Sequence, residues 1–292
     1  MFEPFTLPFV QRGLWEVLLL SAGAGVLGVW IVLRGLAFYA HGVAAATFPG
    51  LVLAAGLGFA GPLGALAVAL VFAGTVGRLA ARDDAADHGT LTAMVLVGAL
   101  AVGVVLASDV YPRATDVQSL LFGSLLVISE RDLVIAGAVS AAVLVATLAL
   151  GPRWLTVGFD RSGARALGVR GGPSDAVLLL LVALVAVAAL SAVGSLLAAA
   201  VMVIPAATVR PWIRRMRPWQ ITTVLLTAVH GVCGLWLSAQ TNAPPGATIA
   251  VLAGGTFAVS LLARVLRDHL RSRGAGGPSA VADRPAGLGV GA

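Results

Sequence analysis

The stretch Arg34–Leu51, RGLAFYAHGVAAATFPGL, sets one histidine between two long apolar runs and follows it with Pro49-Gly50. The residues on either side read as lipid-soluble helix, so an imidazole and a helix-disturbing pair inside such a run need a reason. We read a membrane-crossing helix that breaks near Pro49-Gly50 and turns His41 toward a polar path. The plainer alternative leaves His41 near a membrane face, bonded to a backbone carbonyl. On either reading the fold is an all-α, polytopic integral membrane bundle.

Composition agrees. Hydrophobic residues make up 59% and charged residues 11% of 292, with mean hydropathy +0.98, more apolar surface than a soluble core could bury. The apolar runs are rich in Ala, Val, Leu and Gly, which suits close helix packing through small side chains rather than the alternation of a barrel. The single cysteine, Cys233, excludes an internal disulfide, and no CxxC is present for a thiolate metal cage. All 19 basic residues are arginine, and the net charge of +6 belongs to loops at a membrane surface rather than to a nucleic-acid interface.

Outward from the opening stretch, residues 1–13 lack the basic start and cleavage site of a removable signal peptide and lead into a first span at 14–33. Further spans are predicted at 36–59, 63–79, 90–107 and 133–150, with a partial or surface-lying helix in 108–132. Residues 176–209 are apolar throughout, about 50 Å if helical and too long for one crossing, and Gly194-Ser195 divides them. Spans at 219–237 and 248–266 complete about nine, followed by a Gly/Ala/Pro-rich tail, 267–292, expected to be cytoplasmic and disordered. An outside N-terminus and a cytoplasmic C-terminus leave only Arg12, Arg113 and Arg131 of the 19 arginines on the outer side, as the positive-inside rule requires.

Nothing here hydrolyses ATP: without lysine no GxxxxGK[ST] loop can exist. Glu16 is the exception to spans otherwise almost free of carboxylates, which argues against a proton- or sodium-coupled carrier, although a gradient-driven carrier or channel stays as the alternative. The candidate metal ligands are His41, His230 and Cys233. The last two are three residues apart, a spacing that would suit zinc, yet also that of a packing histidine and a small buried thiol. In the polar segment 151–175, FDRSGARALGV (Phe159–Val169) sets apolar Phe159, Ala166 and Leu167 beside Asp160, Arg161 and Arg165 and ends near Gly168. It reads as a knob for a groove on a partner protein, or as an interfacial helix on anionic lipid.

These motifs stand in a recognisable order: Arg12-Gly13-Leu14, LGVWIVLRGLAF (Leu27–Phe38), FPGL (Phe48–Leu51), LFGSLLVIS (Leu121–Ser129), FDRSGARALGV, VIPAATVR (Val203–Arg210) and PPGATIAVL (Pro244–Leu252). Over about residues 9–266 the chain resembles the membrane permease of the zinc/manganese-type ABC importers. The resemblance implies a fold similar to the vitamin B12 importer's membrane subunit, in a bacterial inner membrane. It further implies a second permease copy, a separate cytoplasmic ATPase docking on FDRSGARALGV, and an extracytoplasmic metal-binding protein. No tightly bound cofactor is implied, only a transported ion. Where that family carries an aspartate and a histidine four residues apart, this chain has His41 and Ala45, and Asn242 stands where the family has another aspartate. An imidazole without its carboxylate favours zinc over manganese, with a different ion or a metal chelate as the alternative.

Overall fold

The computed structural model describes residues 8–82, 88–110, 128–160, 163–164, 172–195 and 197–274. Among them every regular element is helical. The order is α1 (Pro8–Leu33), α2 (Ala37–Ala45), α3 (Thr47–Leu57), α4 (Gly61–Arg82) and α5 (His88–Val105), which runs into a π-helical turn at Leu106–Val110. Then come α6 (Glu130–Phe159), α7 (Gly172–Ala188), the single turn α8 (Leu190–Val193), α9 (Ala198–Val209), α10 (Met216–Thr241) and α11 (Pro245–Gly274). Seven stretches of helix among the described residues are long and apolar enough to cross a membrane, with α2 and α3 counted as one crossing. The shorter apolar helices α7 and α9 fill the places of the sixth and seventh predicted spans, parted at Gly194 as the sequence suggested.

The core is built on α1. It packs against α6, α7, α9 and α10, and 72% of its apolar window is buried, against 11% for α11 at the periphery. Water is absent on both sides of such an interface, so close approach and dispersion must hold it, and glycine supplies the approach. A methyl at Gly28 would overlap the carbonyl of Met202 on α9, and one at Gly231 would overlap Val17. Gly50 and Gly64 lie against each other's carbonyls where α3 crosses α4.

Several boundaries differ from the expected ones, each for a local reason. The break in the second crossing falls at Ala46, not at Pro49-Gly50. Pro49 lies in the first turn of α3, where a missing amide costs little, and Thr47 Oγ1 donates to Ala44 O (2.6 Å) at the junction. Helix α6 begins before Leu133, because the Asp132 carboxylate accepts both the backbone N–H (2.8 Å) and the hydroxyl (2.7 Å) of Ser129. It also runs through Pro152 to Phe159, so the first part of the expected 151–175 loop is helix. Helix α11 likewise continues past Leu266 to Gly274, while the rest of the expected tail lies outside the described residues, as does most of 108–132.

Candidate translocation and coupling sites

His41 sits on α2 on a surface strip with Ala37 and Phe38, while Tyr39, Ala40, Val43 and Ala44 face the core. Tyr39 fixes the rotation of the helix: it is fully buried, its ring lies 6.0 Å from that of Phe72, and its hydroxyl donates to Leu179 O (3.1 Å). The outward direction of His41 therefore follows from packing on its opposite face. Ala45, at the position where the family pattern would supply a second imidazole, is buried and contributes only backbone. The carbonyl of Ala45 is also the one whose helical partner amide is lost at Pro49.

His230 and Cys233 differ in burial. His230 is buried on α10, with Nε2 2.8 Å from Thr256 Oγ1 on α11, whereas Cys233 is exposed. Thr256 Oγ1 also lies 2.8 Å from Ala253 O, and His230 Nδ1 has no hydrogen-bond partner. Buried Thr223, Thr227 and Ser238 lie along the same helix, hydroxyls the sequence reading passed over. Among the described residues no three His, Cys, Asp or Glu side chains gather into a metal cage. Asn242, in place of the family's aspartate, closes α10 with a left-handed backbone (φ 53°), a conformation asparagine tolerates better than most residues.

At the ends of α6 and α7 the chain forms a second site. Phe159, the last residue of α6, is 74% exposed. Asp160 follows in extended conformation, and its Oδ1 accepts the Gly163 N–H (2.9 Å) while its carbonyl accepts the Ala164 N–H (3.0 Å). A methyl at Gly163 would meet the Asp160 carboxylate and push it from this position. Arg161, Arg165, Ala166, Leu167 and Gly168 lie outside the described residues.

The roots of that segment are fastened together. Trp154 is fully buried in α6, donates from Nε1 to Ser174 O (2.8 Å) in α7, and meets Trp30 of α1 edge to face with centroids 5.3 Å apart. Arg34, just past the end of α1, reaches both helices: Nη2 lies 2.8 Å from Asp175 Oδ1 and Nη1 donates to Trp154 O (3.4 Å). Sequence patterning gave no sign of this ion pair, because its members are 141 positions apart in the chain.

A many-helix bundle of apolar crossings, one of them broken and bearing an outward imidazole, is the architecture of a multi-pass membrane protein. The model of the ABC 3 transport family matches residues 6–264, and the chain belongs to that family. It is a permease subunit, and ATP hydrolysis falls to a separate subunit. The chain is 26% identical over 265 residues to the manganese import system permease protein ScaB of Streptococcus gordonii, covering 91% of this chain and 95% of that protein. It is 28% identical over 260 residues to the chelated iron transport system membrane protein YfeD of Yersinia pestis, covering 89% and 87%. Among solved structures, PsaBC from Streptococcus pneumoniae in complex with Fab matches with TM-score 0.77 and 26% identity over 89% of this chain and 95% of that one.

Proposed function

We propose that this permease provides the path for a divalent first-row transition metal ion entering a bacterial cell, by alternating access driven from a partner ATPase. The observation that carries the reading is the family match across nearly the whole chain, with relatives named for manganese and chelated iron. Manganese is the first reading of the ion on those names. A second reading, zinc, is favoured by the donor set, because His41 offers nitrogen where the family pattern offers a carboxylate, and zinc accepts nitrogen more readily.

In this reading the N-terminus is outside, the C-terminus and the 159–168 segment are cytoplasmic, and two permease copies face each other across the path. The exposed His41 strip on α2 and the exposed Phe159 support the two contacts. An extracytoplasmic metal-binding protein delivers the ion, and the ATPase grips Phe159, Asp160, Arg161, Arg165, Ala166, Leu167 and Gly168. Uptake of manganese and zinc by the complex reconstituted with its ATPase and binding protein tests the assignment. Accumulation of neither ion, with ATP hydrolysis intact, rejects it; the ion that saturates uptake at the lower concentration decides between the two readings.

A further inference from the structure

We propose that Arg34, acting through Asp175, is the strut that carries a displacement of the coupling segment into the helix that bears His41. The proposal rests on the reading that an ATPase acts at that segment, and it names how the push reaches the path.

Two helices emerge from the coupling segment, and both are held by one guanidinium. Asp175 lies in the first turn of α7, where its negative charge complements the helix dipole, and pairs with Arg34 at 2.8 Å; the Trp154 carbonyl, in the last two turns of α6, accepts from the same group at 3.4 Å. The pair is largely shielded, with side-chain exposures of 7% for Arg34 and 20% for Asp175, so water and salt screen it less than an ordinary surface bridge. Gly158 lies beside it, and a methyl there would stand 3.0 Å from Arg34 Cδ.

What Arg34 is attached to matters as much as what it grips. It occupies the turn between α1, the central helix, and α2: its own N–H bonds Trp30 O (3.0 Å), Gly35 turns left-handed at φ 67°, and Leu36 N–H bonds Ile31 O (2.9 Å). Ala37 then opens the helix that carries His41 about one turn on. A shift of the α6 and α7 ends is thus delivered to a short turn rather than to the middle of a stiff rod. Beneath the strut a cavity of about 170 Å³, lined by Arg34, Asp175, Val157, Gly158 and Leu178, leaves room for that turn to move.

The measurement is metal ions transported per ATP hydrolysed, in proteoliposomes holding the complete complex, for wild type, Arg34→Gln, Asp175→Asn and the double variant. A strut predicts that each single change lowers the ratio by about tenfold, within the usual range for coupling between sites, while assembly and ATP hydrolysis persist. The double variant should be no worse than either single, because both break the same link. An unchanged ratio in the singles overturns the proposal, and so does a double variant whose loss is the product of the two. Should Arg34→Gln fail to assemble, Asp175→Asn decides by the same ratio. A wild-type complex that moves neither manganese nor zinc defeats the functional reading instead, which keeps the two failures apart.

Discussion

Asp160 Oδ1 accepts the backbone N–H of Gly163 at 2.9 Å, and this one bond turns the end of a 30-residue helix into the start of a new turn. The carboxylate partners an amide at the edge of the bundle, as a capping aspartate does.

Removing that cap should loosen the knob and weaken its grip on the ATPase. Asp160→Ala is expected to cost about 1 kcal/mol of local order and to lower affinity for the ATPase subunit about fivefold. Gly163→Ala should act in the same direction, because its methyl displaces the carboxylate. Affinity measured with purified subunits checks both, and wild-type affinity in both variants would count against a capped docking segment.

The His230–Thr256 bond ties α10 to the peripheral α11. A double-mutant cycle of His230→Ala and Thr256→Val, followed by thermal unfolding in detergent, should give a coupling of about 0.6 kcal/mol, the usual strength of such bonds between membrane helices. If His230 also serves the ion, uptake will fall in His230→Ala and not in Thr256→Val. Equal uptake in both assigns the imidazole to packing.

His41→Ala should reduce metal uptake about tenfold or more, the effect of losing one interaction of about 1.4 kcal/mol in the path. His41→Asp should shift preference toward manganese, since a carboxylate oxygen is the harder ligand. Competition between the two ions in the transport assay reads both. Unaltered uptake by the alanine variant removes His41 from the path.

The glycines of the central helix offer a packing test. Gly28→Ala drives a methyl into the Met202 carbonyl and should cost about 1–3 kcal/mol, seen as a lower unfolding midpoint and poorer monodispersity. Gly74→Ala is the control: nothing lies within 4 Å of the added methyl, so the midpoint should hold or rise as helix propensity improves.

The spans were legible because lipid imposes a simple rule, that a crossing must be apolar and long enough, and Gly194 marked a division the structure keeps. Helix ends were less legible, since they depend on individual bonds. The Ser129–Asp132 exchange moved the start of α6, and Pro49 proved to be a first-turn residue although it looks like a breaker. For the site, His41 could be singled out by its rarity in an apolar run. Its outward direction could not, because Tyr39 and Phe72 set it from the far side of the helix. Spacing suggested one shared face for His230 and Cys233, but packing against α11 buries the first and leaves the second exposed. The Arg34–Asp175 pair was invisible to any local pattern.

The joint at Ala46 gives the second crossing the mechanics of a knee. Its limbs of nine and eleven residues are each too short to span the bilayer alone, yet each is anchored by its own neighbours: α2 through Tyr39 to α7, α3 through Gly50 to α4. On the proposed coupling through Arg34, α2 would travel together with the α7 backbone that Tyr39 grips, while α3 keeps its seat on α4.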